Sequence, residues 1–447
     1  KPLCERTLSM STEKIDGSLG RTCPDHWRYL WDSRRREDDG DNNNNVLDQL
    51  DRHAKPLPEG LRVMTAEEWG RTEFLCLTGA LLKGHYVEED YFRFCLHDDF
   101  LSWAVDSPLC DSSLLVGIIA EAPDDATASG DGSSRELLAV AIAMPLVLHH
   151  ESLGYSVKDQ VDHSANDAVV RPRFAMVDFV CINRSHRGRR LCPFLYAEVT
   201  RRCNASGIHH LICTSGDNLA FPVSSARYHH WLNAEQLPKL VDIGFAVKPA
   251  NLTMAAFQQR LRLRDEPILK LPIPLRSMCE SDVAALRKAY NLSAVKNHKI
   301  AVLFPRDEDF SHTFLPRRSI IETYVVDGTT DFMSFYINET GIVGGKCTGA
   351  VLRQAYVYYC VSDTVPRRNL LLAATHHLLQ KYKEDNDNTE ANSSAIDTVN
   401  CLGGIMGNSD CMLKSAGFGP GTGILKYYQL NAPPGALLPE DIAWLTT

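Results

Sequence analysis

The chain has 447 residues, of which 44% are apolar and 23% charged, so it is long and apolar enough to bury a sizeable core. Its net charge of −9 argues against a partnership with nucleic acid and favours a basic peptide. Fourteen cysteines are present without any CxxC spacing, which disfavours zinc ribbons and thioredoxin-like sites, and we expect no metal site. No signal peptide and no 18-residue apolar run occurs, so the sequence predicts a cytoplasmic protein with no transmembrane segment.

The first 56 residues are predicted to form an N-terminal arm. A cluster of aromatic residues from His26 to Asp32 precedes a polar, low-complexity loop from Ser33 to Asn45, which we expect to be disordered. Large rings need a surface to pack on. The aromatic cluster therefore either covers an edge of the core or flanks a ligand, and the sequence alone favours neither.

The next stretch is predicted to be a strand from Leu61 to Met64 followed by a helix. Thr65 and Glu68 have the spacing of a capping box, and we expect the helix to continue to about Lys83. Residues 85–94 interleave acidic and aromatic side chains and are predicted to form a loop. Two further strands are expected at 114–121 and 136–148.

A strand–loop–helix–strand unit follows and dominates the chain. An apolar run from Phe174 to Ile182 leads through an Arg-rich loop into a helix that starts at Leu191 and is ended by Gly207, and a second apolar run begins at Ile208. Unpaired amides at a helix N-terminus, the helix dipole and arginine side chains together suit a phosphate group. An ordinary crossover with a solvated basic loop fits the local pattern equally well.

The second half of the chain repeats strand and helix signals. An Asp-Gly turn at Asp327 predicts a hairpin, and a Gly-rich turn is expected from Gly417 to Gly423. The other predicted elements are helices at 280–292, 367–382 and 409–416 and strands at 352–361, 396–401 and 424–430. Strand–helix–strand units in both halves indicate an α/β fold with a mixed sheet.

Several blocks of this sequence resemble the N-myristoyltransferase family, and the resemblance extends from about Trp27 to Thr447. The blocks are FVCI at 179–182, RGRRLCP at 187–193, EVTRR at 198–202, ARYHHWLN at 226–233, YVEED at 86–90, FRF at 92–94, LWD at 30–32, TDFMSFY at 330–336 and LKYY at 425–428. The distance from Tyr428 to the C-terminus also agrees with the family. The resemblance implies a duplicated acetyltransferase-like (GNAT-type) α/β fold, in which two fused halves are related by a pseudo-twofold axis. Residues 57–245 would bind acyl-CoA and residues 246–447 the peptide.

The resemblance implies an acyltransferase that moves a myristoyl group from myristoyl-CoA to the α-amine of an N-terminal glycine. Myristoyl-CoA would be a co-substrate, and no tightly bound cofactor is expected. The alternatives that stay open are another acyl chain, a lysine acceptor, and a catalytically silent protein that binds acyl-CoA or peptide. The family is expected to be monomeric, and ribosome association is a further expectation.

The catalytic residues that the resemblance implies lie in the middle of the chain and at its C-terminus. The amides of Phe179 and Val180 would bind the oxyanion of the thioester, because preorganised N–H donors stabilise such a charge. The C-terminal carboxylate of Thr447 would act as the base, with Thr214 and Gly216 near the migrating proton.

Binding residues are implied in the same way for both substrates. Residues expected to contact myristoyl-CoA are Tyr29, Leu30, Trp31, Val180, Cys181, Ile182, Arg187, Gly188, Arg189, Arg190, Leu191, Cys192 and Pro193. Residues expected to contact the peptide are Tyr86, Val87, Glu89, Asp90, Phe92, Phe94, Tyr228, His230, Ser334, Tyr336, Tyr356 and Thr422. The acidic members would favour a basic residue downstream of the glycine. Thr422 stands where the family leads us to expect an aspartate, so peptide preference is expected to differ.

Overall fold

The computed structural model describes residues 57–86, 92–120, 136–162, 169–219, 221–265, 273–387, 395–432 and 436–446. The predicted arm therefore lies outside the described residues. So do seven predicted site residues, which are Tyr29, Leu30, Trp31, Val87, Glu89, Asp90 and Thr447.

The described residues form seventeen strands and ten α-helices. The strands are β1 (Leu61–Thr65), β2 (Phe92–Phe94), β3 (Leu115–Ala120), β4 (Leu137–His150), β5 (Val161–Asp162), β6 (Val169–Val170), β7 (Phe174–Ile182), β8 (His210–Ser215), β9 (Ser224–Leu232), β10 (Leu275–Ser277), β11 (Ile300–Leu303), β12 (Ile321–Val326), β13 (Phe332–Ile342), β14 (Val351–Val361), β15 (Thr398–Leu402), β16 (Gly419–Leu430) and β17 (Ile442–Ala443). The helices are α1 (Ala66–Trp69), α2 (Arg71–His85), α3 (Asp98–Val105), α4 (Leu191–Ala205), α5 (Leu237–Asp242), α6 (Met254–Asp265), α7 (Val283–Asn297), α8 (Asp307–Phe314), α9 (Arg367–Asp387) and α10 (Asp410–Ser415). Across these ranges no helix is both long and apolar enough to cross a bilayer.

Most strands join one large mixed sheet. The succession of parallel and antiparallel pairings in it is the same when counted from either edge. The order is β1-β3-β4-β7-β8-β16-β9-β15-β14-β13-β12-β10. From either edge inward, three antiparallel pairings are followed by one parallel pairing and one antiparallel pairing. The parallel pairs are β7–β8 and β14–β15, connected by the crossover helices α4 and α9 respectively. The sheet therefore contains two copies of one unit, which confirms the predicted α/β mixed-sheet class and its duplication.

The two copies exchange their innermost strands. β9 comes early in the chain but pairs with β15 of the second copy, whereas β16 comes late and pairs with β8 of the first. β9 and β16 then pair with each other at the centre of the sheet. Neither copy completes its sheet without a strand from the other. The division of the chain at residue 245 remains a prediction.

The central unit forms where the sequence predicts it. Apolar side chains of α4, including Leu191, Leu195 and Val199, pack on β3, β4 and β7 in one buried cluster. Gly207 has a positive φ of 77° just after the helix, a conformation that glycine adopts without strain.

Three local predictions were wrong. The helix expected from Thr65 to Lys83 is broken after Trp69, because Gly70 has a φ of 95° that no helix contains. The predicted loop at 85–94 contains β2, which pairs with the outer half of β13 and thereby buries Phe92. The predicted Gly-rich turn is the start of β16, whose register with β9 shifts between Pro420 and Ile424.

The C-terminal segment returns to the first copy. β17 pairs in parallel with β11, and β11 pairs with the end of β4. Trp444 is 1% exposed and its ring lies 5.5 Å from that of Tyr427. The backbone N–H of Leu445 donates to the hydroxyl of Tyr359 at 3.3 Å. These contacts bury the segment from Ile442 to Leu445 in the interior.

Candidate active site

The candidate site lies where β7 and β8 separate. The two parallel strands are in register only from Phe174 to Met176, opposite His210 to Ile212. Beyond that point each strand continues without its partner, β7 to Ile182 and β8 to Ser215. Backbone groups on the facing edges are therefore available to a ligand instead of to each other.

A bulge distorts β7 at this opening. Ala141 of β4 faces both Phe179 and Val180, because the register shifts between Val140 and Ile142. Phe179 is fully buried and has a φ of 52°, which is unusual for a residue other than glycine. The bulge takes the amides of Phe179 and Val180 out of the regular ladder, at the positions that the resemblance assigns to the oxyanion.

The Arg-rich loop after β7 is held by its own polar groups. Asn183 accepts hydrogen bonds from the N–H and hydroxyl of Ser185, at 3.1 and 2.8 Å. Arg187 donates from Nε to the carbonyl of Ile182 at 3.2 Å and from Nη2 to the carbonyl of His85 at 2.7 Å. Arg187 therefore anchors the loop to strand and helix, a contribution that sequence reasoning did not anticipate.

The remaining arginines of this loop are placed for an outside anion. Gly188 and Arg190 both have positive φ, at 77° and 64°, and Arg190 is the residue that caps the N-terminus of α4. Arg189 and Arg190 are exposed. The turn therefore leaves two guanidinium groups exposed next to the first amides of α4, at Leu191 and Cys192.

The thiols near the opening are unreactive by their environment. Burial raises the pKa of Cys181 to about 12, although the charge of Arg187 opposes the shift. Burial, followed by the charge of Asp217, raises the pKa of Cys192 to about 11. Thiols with such pKa values are protonated at neutral pH, so neither is an activated nucleophile. The described residues contain no group of three His, Cys, Asp or Glu side chains arranged to hold a metal.

The other wall of the opening is formed by the end of β8 and by the C-terminal segment. The hydroxyl oxygens of Thr214 and Thr446 lie 2.8 Å apart and share a hydrogen bond. The carbonyl of Gly216 accepts from Nζ of Lys426 at 2.9 Å, and a Cβ on Gly216 would meet no heavy atom within 4 Å. Thr446 therefore lies beside Thr214 at the end of β8.

A row of aromatic side chains extends from the opening. Tyr86 lies 6.2 Å from Phe179 and 6.5 Å from Phe94, measured between ring centroids. Tyr356 stacks on Tyr336 with 4.9 Å between ring centroids, and Tyr228 meets Tyr356 edge-on at 6.2 Å. The structure thus brings these predicted peptide-binding aromatics into one neighbourhood, with Tyr86, Phe94, Tyr228 and Tyr356 partly accessible.

His230 lies at the seam between β9 and β16. Its Nδ1 is 2.8 Å from Oδ1 of Asn400, and burial lowers its pKa below the ordinary 6.5 despite that hydrogen bond. A Cβ added to Gly421 would lie 2.2 Å from Nε2 of His230. The glycine is therefore needed for the histidine ring to fit, and the ring is neutral at pH 7.

Two other predicted peptide contacts have different surroundings. Ser334 is fully buried, and its hydroxyl donates to the carbonyl of Tyr359 and accepts from the same residue's N–H, at 2.9 and 3.0 Å. Thr422 is exposed on β16. Their roles toward a peptide remain predictions.

Sequence reasoning missed Asp178, which lies directly before the bulge. Its Oδ1 accepts the N–H of Phe179 at 2.8 Å, and its carboxylate is, after burial, a cause of the raised pKa of Tyr86. A signal was present, because Asp178 is the only charged residue in the apolar run from Phe174 to Ile182.

Comparison with known proteins agrees with this architecture. Residues 42–226 match the family model of the myristoyl-CoA:protein N-myristoyltransferase N-terminal domain, and residues 242–433 match that of the C-terminal domain. The glycylpeptide N-tetradecanoyltransferase of Plasmodium falciparum is 30% identical over 367 residues, which are 81% of this chain and 77% of that protein. Glycylpeptide N-tetradecanoyltransferase 1 of Arabidopsis thaliana is 30% identical over 359 residues, 78% of this chain and 71% of that protein.

A solved structure has the same fold. The crystal structure of Saccharomyces cerevisiae N-myristoyltransferase with bound myristoyl-CoA aligns with a TM-score of 0.65 at 23% identity, covering 88% of this chain and 84% of that one. The duplicated sheet, the two matching family models and the identity to the Plasmodium protein lead to one assignment. The chain belongs to the myristoyl-CoA:protein N-myristoyltransferase family and is an acyltransferase.

Proposed function

We propose that the chain transfers a myristoyl group from myristoyl-CoA to the α-amine of an N-terminal glycine, without a covalent enzyme intermediate. The observation that carries this proposal is the meeting of the chain's end with the β7–β8 opening through the Thr214–Thr446 hydrogen bond of 2.8 Å. That contact holds Thr446 beside Thr214, and we infer that the terminal carboxylate of the next residue enters the opening that the bulged amides of Phe179 and Val180 border.

The thioester carbonyl would lie at the bulge. Attack by an amine turns the carbonyl oxygen into an oxyanion, and fixed N–H donors at Phe179 and Val180 would stabilise that charge. The positive φ of Phe179 supports this role, because a strained backbone fixed by its surroundings often occurs at a functional site. The CoA phosphates would bind at Gly188 to Arg190 and at the first turn of α4.

The glycine amine must lose a proton before it attacks. An α-amino group has a pKa of about 8, so much of it is protonated at neutral pH. The terminal carboxylate of Thr447 would hold and deprotonate it, with Thr214 orienting the segment. The raised pKa values of Cys181 and Cys192 support direct attack by the amine, because neither thiol is ready to accept the acyl group.

The peptide would follow the aromatic row at Tyr86, Phe94, Tyr228, Tyr336 and Tyr356. A basic residue downstream of the glycine would be favoured by the net charge of −9. A monomer in the cytoplasm, with or without ribosome association, is the setting that we expect for this activity.

The direct test is incubation of the purified chain with myristoyl-CoA and matched peptides that lack lysine and begin with Gly, Ala or N-acetyl-Gly. Mass spectrometry should find a single added tetradecanoyl group on the Gly peptide alone. Repeating the assay with shorter and longer acyl-CoA compounds, and with a peptide whose only amine is a lysine, tests the alternative acyl chain and acceptor. Equal modification of the Gly and Ala peptides would overturn the proposal.

The role of the chain's end is tested by adding several residues after Thr447. The extension should lower the turnover number by about 100-fold or more, because it removes a general base from the reacting amine, while acyl-CoA binding is retained. The same extension placed before Lys1 is the matched control, and proteolytic removal of the C-terminal extension should restore turnover. Full activity of the extended chain would exclude the terminal carboxylate as the base.

A further inference from the structure

The last three described residues, Trp444 to Thr446, form a terminal segment that lies beyond the last strand pairing. β17 pairs with β11 at Ile442 and Ala443, and the terminal segment follows directly. Trp444 and Leu445 are nevertheless buried. A buried backbone N–H needs an acceptor, so the groups that bind this segment also determine where the chain ends.

Two hydrogen bonds hold consecutive residues of the terminal segment, and they come from different copies of the duplicated unit. The N–H of Leu445 donates to the hydroxyl of Tyr359, on β14 of the second copy, at 3.3 Å. The hydroxyl of Thr446 shares a hydrogen bond of 2.8 Å with that of Thr214, on β8 of the first copy. Each copy therefore supplies one of the side chains that hold the end of the chain.

Tyr359 is itself held at both its backbone and its ring. The hydroxyl of Ser334 accepts the N–H of Tyr359 at 3.0 Å and donates to its carbonyl at 2.9 Å, at the bulge between β13 and β14. The buried ring of Tyr359 packs edge-on against Tyr290 and Phe314, with 5.5 and 5.6 Å between ring centroids. Packing and hydrogen bonds of this kind give the hydroxyl a defined position, which a group that orients another must have.

We propose that Tyr359 is a positioning residue for acyl transfer: its hydroxyl holds the backbone of Leu445 so that the terminal carboxylate reaches the amine of the acceptor. This inference rests on the proposed function, in which that carboxylate takes the proton of the glycine amine. A general base acts only within hydrogen-bond distance of the proton that it removes. A small shift of Leu445 therefore slows the proton transfer, while the binding of both substrates is unchanged. By this route the bulge of the second copy contributes to the chemistry of the first.

The first measurement compares Tyr359→Phe, which removes the hydroxyl and keeps the ring, with the wild type. Its turnover number should fall by about 10-fold to 100-fold, because misplacing a reacting group by about 1 Å costs up to this much. The KM for a Gly-initiated peptide and the affinity for myristoyl-CoA should stay within about twofold of the wild type. Tyr382→Phe is the matched control and should keep the wild-type turnover number. The buried hydroxyl of Tyr382 also accepts a backbone N–H, that of Ser319 at 3.0 Å, but it lies in a different buried cluster.

A second measurement separates positioning from a general loss of structure. In a chain extended by several residues beyond Thr447, the terminal carboxylate is displaced whether or not Tyr359 keeps its hydroxyl. Tyr359→Phe should therefore lower the residual turnover of the extended chain by less than about twofold. A purely structural effect would lower the turnover of the extended chain by the same factor as that of the unextended chain.

Full turnover of Tyr359→Phe, or an equal loss in the extended and unextended chains, overturns the positioning role. A raised peptide KM with an unchanged turnover number also overturns it, since Tyr359 would then act in peptide binding. Should Tyr359→Phe fail to fold, Ser334→Ala, which frees the backbone of Tyr359, is measured instead and should lower the turnover of the unextended chain only. If the extension alone leaves the turnover of the wild type unchanged, the terminal carboxylate of the proposed function is what fails.

Discussion

The two copies of the duplicated unit have the same strand pairing but differ in the polar side chains at equivalent positions. Each has a parallel pair with three register positions, Phe174–Met176 with His210–Ile212 in the first copy and Gln354–Tyr356 with Thr398–Asn400 in the second. Each also has a bulge on the first strand of that pair, because Ser334 of β13 faces two residues of β14 as Ala141 faces two of β7. The difference in chemistry between the copies must therefore come from side chains.

The bulges differ in their partner residue. In the second copy the hydroxyl of Ser334 accepts the N–H of Tyr359 and donates to its carbonyl, at 3.0 and 2.9 Å. In the first copy the equivalent residue is Ala141, which has no polar group to offer. The second bulge is therefore closed by a serine of the neighbouring strand, whereas in the first bulge the N–H of Phe179 donates to Asp178, and the N–H groups of this bulge are the ones that we propose for the oxyanion.

The loops that lead into the crossover helices α9 and α4 also differ in whether a side chain of the protein occupies their N–H groups. Before α9, the fully buried carboxylate of Asp331 accepts the N–H groups of Asp363, Thr364 and Val365, at 2.8, 2.9 and 2.6 Å. Before α4, no equivalent carboxylate is bound at Leu191 within the described residues, and the exposed arginines of the loop surround the position instead. A carboxylate inside the protein thus occupies in one copy the type of site that we propose for phosphates in the other. The two copies therefore share a backbone arrangement and differ in the internal polar partners of the bulge and of the loop before the helix.

The largest expected effect is on stability, and it comes from Asp331→Ala in the second copy. The substitution leaves several buried N–H groups without an acceptor, so the free energy of unfolding should fall by about 3 kcal/mol. Denaturant unfolding measures the loss, and Asp363→Ala, in the same loop but exposed, should change it by less than about 0.5 kcal/mol. Acyl-CoA affinity of the folded variant should be unchanged. A tenfold weaker affinity would mean that the second copy also contributes to acyl-CoA binding.

Arg190→Ala in the first copy should instead weaken acyl-CoA binding and leave stability almost unchanged. Loss of a charge-assisted phosphate contact should weaken acyl-CoA binding by about 1–3 kcal/mol, with less effect in high salt, while the free energy of unfolding changes little. Titration calorimetry at two salt concentrations measures this. Arg368→Ala, at the start of α9, is the matched control because Arg368 donates to the carbonyl of Ser415. Unchanged affinity for Arg190→Ala would remove the phosphate assignment.

Ser334→Ala should affect stability and leave peptide recognition intact. The N–H of Tyr359 would lose its acceptor in a fully buried position, which costs about 1–2 kcal/mol. Thermal or denaturant unfolding measures that cost, and steady-state kinetics should find the same KM for the peptide. A raised KM with unchanged stability would instead favour the direct peptide contact implied by family resemblance.

The reciprocal change sharpens the comparison. Ala141→Ser gives the first copy a hydroxyl at the position where Ser334 stands in the second copy. Ala141 is fully buried and lies opposite Phe179. We expect the new hydroxyl to bond to the bulge and to lower the turnover number more than the stability. Ala143→Ser, also fully buried but outside the bulge, is the matched control and should lower stability alone.

The sequence predicted those helices, strands and turns that are determined by neighbouring residues. The run at 174–182, the helix from Leu191 and the Asp-Gly hairpin all formed as expected, because periodicity and turn residues determine them. The exchange of β9 and β16, the short strand β2 and the closed second bulge were not predicted, because each depends on pairing between residues far apart in sequence. Asp178 was missed although its charge within an apolar run was a signal, because its hydrogen bond to Phe179 depends on the bulge that pairing with β4 produces.

The smallest expected effect concerns His230, at the seam where the two copies meet. Burial lowers its pKa, so below pH 6.5 the unfolded chain binds a proton that the folded chain still excludes. The free energy of unfolding should therefore fall as the pH drops from 6.5 toward the folded-state pKa. His230→Gln keeps a hydrogen-bonding group for Asn400 but cannot titrate. Its stability between pH 7 and 5 should fall less steeply than that of the wild type. Equal slopes in denaturant unfolding at several pH values would indicate that the seam opens enough for His230 to be protonated in the folded chain.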